Sequence, residues 1–232
     1  IVGSYLSDDD KCGAIVEINC ETDFVAKTDN FKALVGKVAE HIAKTNPADI
    51  AALLESQLDG KKVAEIVTES IASIGEKIDI RRFQRYEVTE GTVACYIHGG
   101  GKIGVLVEMK GGNSELGKDV AMQVAAANPQ YLDRSQVPAD VLDHEKEVLS
   151  EQARNEGKPE KIIEKMVLGR VQKYYKEVCL VDQEFIKDPD QTITKLLKAN
   201  NAEVKAFTRF QMGEGLEKRQ ENFAEEVQAF VK

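Results

Sequence analysis

The sequence predicts an α+β protein of two related subdomains, with a protruding helical hairpin and a C-terminal helix. Three observations predict this class. The chain contains an internal repeat, two helical patterns in its second half flank a short turn, and 42% of its 232 residues are hydrophobic while 31% are charged. Such a composition supports packed domains and excludes a disordered polypeptide.

The repeat begins at the start of the chain. Residues 2–17 align with residues 93–108 at an offset of 91, with six identities in sixteen positions. Residues 34–47 align with residues 116–129 at an offset of 82, with six identities in fourteen positions. Each copy has the pattern of two strands joined by a turn, then an amphipathic helix that ends at Asn-Pro, because proline cannot continue a helix. We therefore predict a duplicated unit.

The two offsets differ by nine residues, so the first copy contains nine residues that the second lacks. They lie in the stretch that includes CETDFVAK at residues 20–27, where the second copy has only the polar KGGNSE at residues 110–115. The second copy passes from strand to helix without an apolar residue. The scaffold therefore does not require the pair Phe24 and Val25.

Two interpretations of this pair are open. In the first, Thr22 or Asp23 caps a helical turn, Phe24 and Val25 pack into the local core, and Asp29 caps the long helix that follows. In the second, the turn protrudes and presents Phe24 to a pocket of a partner, because a rigid aromatic side chain offers a large contact area at low entropic cost. The repeat favours the second interpretation.

The remaining segments follow the two copies. After the first copy, residues 61–74 have helical spacing and residues 78–88 alternate like a strand. After the second copy, residues 139–152 and 161–175 predict an antiparallel helical hairpin with a Gly-Lys-Pro turn. The predictions for the end of the chain are a short helix at 192–198, a strand at 203–213, and an amphipathic helix from Leu216 that bears Phe223, Val227 and Phe230.

These elements divide the chain into four parts. The predicted parts are an N-terminal subdomain at residues 1–90, a C-terminal subdomain at 91–135 and 180–215, the helical hairpin at 136–179, and the C-terminal helix at 216–232.

Charge and cysteine usage narrow the function classes. A net charge of -9 argues against nucleic acid as the main ligand, because phosphate binding needs clustered lysine and arginine. No apolar run approaches the roughly 20 residues that span a bilayer, and the four cysteines are scattered without a CxxC pair. We expect a cytoplasmic protein that binds another protein and no membrane. Because the chain starts at Ile1 within a strand pattern, we also expect that an N-terminal portion is missing.

No motif for covalent chemistry emerges. GGGKIG at residues 99–104 matches GxGxxG, but a strand follows it rather than a helix, which favours a hairpin turn over a phosphate-binding loop. His41, His98 and His144 are scattered without an HExxH motif, and SDDD at residues 7–10 lacks the spacing of a calcium loop. We therefore predict no metal site, no cofactor and no enzymatic activity.

Several motifs resemble one family. VEINCETDFVAK at residues 16–27 resembles the signature region of the elongation factor Ts family, the exchange factors of the bacterial translation GTPase elongation factor Tu. IGEKIDIRRF at 74–83, HGGGKIGVLVE at 98–108 and FTRFQMGEGLEK at 207–218 are similar to the same family, so the likeness covers nearly the whole chain. Members of that family begin with a helical domain of about fifty residues, which this sequence lacks.

The resemblance implies a guanine nucleotide exchange factor that binds GDP-bound elongation factor Tu during translation elongation. By match, Asp23 and Phe24, flanked by Thr22 and Val25, would enter the GTPase near its Mg²⁺ and phosphate site and so weaken GDP binding. The helical hairpin would serve self-association as a homodimer, or partner contact, and the last helix would pack on the GTPase. Further partner contacts are implied at His98, Ile103, Gly104 and Gln123.

Two other function classes stay open. An assembly module would depend on the helical hairpin rather than on Phe24. A small-molecule enzyme would need a concave site with convergent polar groups, which the sequence does not reveal.

Overall fold

The computed structural model describes residues 1–216. The predicted terminal helix therefore lies outside the described residues, except for Leu216. The strands are β1 (Val2–Leu6), β2 (Cys12–Asn19), β3 (Gln57–Leu58), β4 (Lys61–Lys62), β5 (Asp79–Glu87), β6 (Thr92–His98), β7 (Ile103–Lys110), β8 (Glu184–Phe185), β9 (Asp188–Thr192) and β10 (Glu203–Gln211). The helices are α1 (Asp23–Ala26), α2 (Asp29–Thr45), α3 (Ile50–Glu55), α4 (Val63–Ile74), α5 (Ser114–Ala127), α6 (Ala139–Asn155), α7 (Glu160–Val178) and α8 (Ile193–Ala199).

Two antiparallel sheets of three strands each form the centre of the protein, and the predicted α+β class is confirmed. Their orders are β1-β2-β5 and β6-β7-β10. Val2 pairs with Glu17 in the first hairpin and Val93 pairs with Glu108 in the second, which is the register that the offset of 91 requires. The third strands also correspond, because β5 skips Arg81 in its ladder and β10 skips Lys205 at the same point.

The two sheets pack face to face, and each carries a helix on its outer face. Alternate residues of β2, such as Val16, pack under α2, while Ile15 joins a cluster between the sheets that includes Leu106 and Phe210. The second sheet places alternate residues of β7 under α5 in the same way. This alternation follows from the two-residue period of a strand. Each subdomain therefore has its own core, and a third core joins the two.

The carboxylate of Glu17 connects the two subdomains at the edge of this junction. Its side chain is fully buried and accepts hydrogen bonds from Arg82 Nε at 2.6 Å, Arg81 Nη1 at 3.1 Å and the Gly213 backbone N–H at 2.9 Å. Burial alone would raise the pKa of Glu17, but these three donors outweigh it and hold the pKa below its usual value. The first sheet is thereby linked to the turn that follows β10.

The duplication extends further than the sequence alignment indicates. In each copy a short hairpin, β3-β4 or β8-β9, leads into a helix and then into the third strand. The predicted start of the helix at residue 61 was wrong: residues 61–62 form β4, and the helix begins at Val63. Asp59 and Gly60, with φ values of 52° and 81°, form the tight turn that joins β3 to β4. The two copies differ in the segment that precedes the short hairpin. The first copy has α3 between α2 and β3, and the second has α6 and α7 between α5 and β8.

The helices α6 and α7 form the predicted antiparallel hairpin. Gly157, with φ of 73°, lies in the turn between them, and Ala153, Ile163 and Val171 form the buried seam. Their other surfaces are mostly polar and exposed. Within residues 1–216, no helix has both the length and the apolar character needed to cross a membrane. The predicted bounds of the four parts stay a prediction.

Candidate functional site

The longer joint of the first copy contains a short capped helix, α1, between β2 and α2. Thr22 caps α1, because its Oγ1 accepts a hydrogen bond from the Val25 N–H at 3.3 Å. Thr28 caps α2 by accepting from the Phe31 N–H at 3.4 Å, so the expectation that Asp29 is this cap was wrong. Asp29 is the first residue of the helix instead.

The Phe24 turn, defined as residues 20–28, exposes its aromatic side chain. Phe24 is 85% exposed, the largest exposure among the bulky apolar side chains of residues 1–216. Val25 is half-buried and packs on the core under α2. Each sequence interpretation is therefore right for one residue: Val25 anchors the turn in the local core, and Phe24 projects from it.

A carboxylate from a distant segment holds the turn. Glu76, between α4 and β5, accepts hydrogen bonds at Oε2 from the backbone N–H groups of Glu21 at 3.0 Å and Thr22 at 2.9 Å. Its Oε1 accepts the Thr22 hydroxyl proton at 2.5 Å. The hydrogen bond from this hydroxyl lowers the pKa of Glu76, and those from the two backbone amides add to the effect.

Glu76 lies within the motif IGEKIDIRRF at residues 74–83, but the sequence indicates no role for it. No local spacing indicates a contact across 54 residues.

The thiol of Cys20 also faces the turn and donates weakly to the Thr22 carbonyl at 3.4 Å, and burial raises the pKa of this thiol.

The corresponding joint of the second copy is short and closed. Residues 111–113 connect β7 to α5 there, whereas residues 20–28 connect β2 to α2, which accounts for six of the nine added residues. The other three begin α2, because Ser114 at the start of α5 aligns with Lys32 at the offset of 82. An added Cβ at Gly111 would lie 2.3 Å from the Asn201 carbonyl oxygen, so this position has no room for a side chain.

A second candidate region lies on the C-terminal subdomain. His98 is exposed and its Nδ1 shares a hydrogen bond of 3.1 Å with the Tyr96 hydroxyl, while Ile103 is half-buried beside it. Both residues line a groove of about 390 Å³ between β6, β7, α5 and the β8-β9 hairpin. The groove is also lined by Tyr96, Met122, Ala125, Ala126, Ile186 and Arg209.

Gly104 and Gln123, the other two implied contacts, are buried. A Cβ at Gly104 would lie 2.3 Å from Val2 Cγ1, so this glycine permits close packing of the two sheets. Gln123 is 1% exposed; its Oε1 accepts from the Ile186 N–H at 2.9 Å, and its Nε2 donates to the Glu184 carbonyl at 3.1 Å. Both residues are buried in this structure, and a partner contact at either of them stays a prediction.

The repeat contained a signal for the burial of Gln123. At the offset of 82 its counterpart is His41, which is also buried and whose Nε2 hydrogen-bonds Ser56 Oγ at 2.7 Å, just before β3. In both copies a polar residue on the helix holds the short hairpin region. Among residues 1–216, no group of three or more His, Cys, Asp or Glu side chains could hold a metal ion.

Comparison with known proteins identifies relatives over nearly the whole chain. The family model described as elongation factor TS matches residues 21–214. The protein named elongation factor Ts from Clostridium perfringens is 52% identical over 239 residues, covering 98% of this chain and 79% of that protein. The protein of the same name from Halothermothrix orenii is 50% identical, and the match covers 97% of this chain and 78% of that protein. The one from Thioalkalivibrio sulfidiphilus is 48% identical, and the match covers 98% of this chain and 78% of that protein.

Proposed function

The chain belongs to the elongation factor Ts family, whose role is nucleotide exchange in translation elongation, and we propose that it releases GDP from elongation factor Tu by inserting Asp23 and Phe24 near the Mg²⁺ and phosphate site. The observation that carries the proposal is the 85% exposure of Phe24 on a turn held by hydrogen bonds. Thr22 and Val25 flank the inserted pair and fix its conformation.

The mechanism is competition between two bound states of the GTPase. The aromatic side chain fits only a distorted nucleotide site, so binding of the exchange factor lowers the affinity of the GTPase for nucleotide. By reciprocity, bound nucleotide lowers the affinity of the GTPase for the exchange factor by the same factor. Burial of a phenylalanine side chain contributes roughly 2–3 kcal/mol, which corresponds to about 30- to 150-fold in affinity. The Asp23 carboxylate adds a negative charge where the partner holds phosphates and Mg²⁺, which favours nucleotide departure. No covalent bond is made or broken in this scheme.

A second contact supports the first. The groove beside His98 and Ile103 offers half-buried apolar walls and the polar tips of Tyr96 and Arg209, a composition that suits a protein surface. Gln123 holds Ile186, one of the lining residues, by accepting its backbone N–H. We assign these residues to binding of elongation factor Tu, while Phe24 acts on the nucleotide site.

The other expected properties follow from this function. A protein partner fits the net charge of -9 better than nucleic acid does. A cytoplasmic location and self-association through the α6-α7 hairpin stay predictions.

Stopped-flow release of a fluorescent GDP from elongation factor Tu tests the proposal. Substoichiometric amounts of the chain should accelerate release, because each molecule acts repeatedly. A variant in which residues 139–175 are replaced by a short glycine-serine linker should retain this acceleration. Release at the spontaneous rate would refute exchange activity, and full dependence on residues 139–175 would favour an assembly module instead.

A further inference from the structure

We infer that Glu76 is a positioning residue for Phe24, whose carboxylate holds the Phe24 turn in the conformation that the partner meets. The inference rests on the proposed function of Phe24. It concerns a residue that lies outside the turn in sequence and that acts through it.

The hydrogen bonds of Glu76 converge on the cap of α1. Thr22 donates both its backbone N–H and its hydroxyl proton to Glu76, and its Oγ1 accepts the Val25 N–H. A continuous series of hydrogen bonds therefore leads from Val25 through the Thr22 hydroxyl to the Glu76 carboxylate. Such series are mutually reinforcing, and an ionised acceptor makes them stronger.

The turn needs an anchor of this kind. Helix α1 has only four residues, far fewer than an isolated helix needs to be stable in water. Phe24 itself is exposed and contributes little packing. Apart from Glu76, the turn is held after Phe24 by the half-buried Val25 and by the Thr28 hydroxyl, which donates to the Val25 carbonyl at 2.7 Å. Before Phe24, Cys20 packs on the core and its thiol donates weakly to the Thr22 carbonyl at 3.4 Å. Glu76 therefore supplies the strong hydrogen bonds on the side of the turn that precedes Phe24.

Loss of the Glu76 carboxylate should lower the fraction of molecules in which Phe24 has the conformation that the partner binds. If the turn samples several conformations, the apparent affinity of the exchange step falls by the fraction of molecules that have Phe24 in place. We expect Glu76→Ala to lower kcat/KM for GDP release by about threefold to tenfold. Glu76→Gln keeps the shape and one acceptor oxygen, so its loss should be smaller.

A double-mutant cycle distinguishes positioning from a general structural role. Glu76→Ala should reduce exchange in the chain that carries Phe24 and should have no further effect in Phe24→Ala. The matched control is Glu65→Ala, which removes an exposed carboxylate of α4 that accepts the Lys62 backbone N–H, and it should leave exchange unchanged. Equal losses from Glu76→Ala in both backgrounds, or full activity of Glu76→Ala, would overturn the inference.

A second readout needs no partner. The chain contains no tryptophan, so Phe24→Trp introduces a single tryptophan at the tip of the turn, whose emission can be excited apart from that of the six tyrosines. Time-resolved anisotropy of this variant should show faster local motion when Glu76→Ala is added and an intermediate effect with Glu76→Gln. Unchanged anisotropy would overturn the inference even if the proposed function holds. Conversely, full exchange activity of Phe24→Ala would refute the proposed function, and the anisotropy would then decide independently whether Glu76 holds the turn.

Discussion

Replacing Phe24 by alanine should slow GDP release while leaving the fold as stable as before. The side chain is 85% exposed, so nearly all of its surface is available to a partner and little is used by the fold. An aromatic side chain buries about 150–250 Å² at an interface. After allowance for the methyl group that alanine retains, the lost burial is worth roughly 2–3 kcal/mol. If this burial occurs only in the exchange-active state, kcat/KM falls by about 30- to 150-fold.

Two measurements on the same preparations check this prediction. Stopped-flow release of fluorescent GDP from elongation factor Tu gives the exchange rate, and urea unfolding gives the free energy of unfolding. The latter should change by less than about 0.5 kcal/mol, as for other exposed positions. Leu168→Ala is the matched control, because Leu168 is a large apolar residue on α7 that is 66% exposed. It should leave exchange unchanged.

Two results would refute the reasoning. If the kcat/KM for GDP release by Phe24→Ala is within about twofold of the wild-type value, the exposed ring does not contribute to nucleotide exchange. A variant that loses stability would show that the ring packs in the free protein, contrary to the structure. Equal slowing by Leu168→Ala would indicate a general effect of removing surface apolar groups.

Three further predictions concern buried contacts. Because the pKa of Glu17 is depressed in the folded state, its stabilisation is present above the ordinary carboxyl pKa of about 4.3 and is lost as the pH falls through the folded value. The urea midpoint of wild type should therefore fall more steeply below pH 4.3 than that of Glu17→Gln, and parallel curves would contradict this. Gly104→Ala should lower the free energy of unfolding by about 1–3 kcal/mol, because its Cβ would lie 2.3 Å from Val2 Cγ1; an unchanged urea midpoint would contradict the packing role. Gln123→Ala should cost about 1–3 kcal/mol and speed hydrogen exchange at the Ile186 amide, and continued protection there would refute its role as the acceptor.

The sequence predicts the repeated parts of the fold well because a repeat provides two measurements of the same pattern. The hairpin registers and the helix ends follow from identities at constant offset, and Asn46 and Asn128 both end their helices with φ near 48° and 47°. The short hairpins β3-β4 and β8-β9 were missed, since three of their strands have only two residues and the fourth, β9, is the polar segment DPDQT without hydrophobic alternation. The Asp59-Gly60 pair was the available signal for the first of them.

The candidate site was predictable only in part, for a physical reason. Extra length at one joint identified the Phe24 turn, because an insertion is visible in one dimension. Burial of Gly104 depends on which sheet face meets the other sheet, and burial of Gln123 on which face of α5 meets the β8-β9 hairpin; both are set by tertiary packing. Glu76 acts across 54 residues through its carboxylate, so neither spacing nor composition indicates it.

The two copies solve the same structural problem in different ways, and the difference explains why Glu76 and the added residues belong together. In each copy the loop before the third strand faces the joint between the second strand and the helix. In the second copy the backbone of this loop approaches so closely that Gly111 would meet the Asn201 carbonyl oxygen at 2.3 Å if it had a Cβ. In the first copy the longer joint leaves its Glu21 and Thr22 N–H groups to be satisfied by a side chain, which Glu76 supplies. An exposed N–H group could bond to water instead, but an ionised carboxylate is a stronger acceptor than water and fixes the conformation of the backbone that donates to it. The longer joint and Glu76 therefore belong to one structural arrangement: the joint presents Phe24, and Glu76 in the facing loop holds the joint.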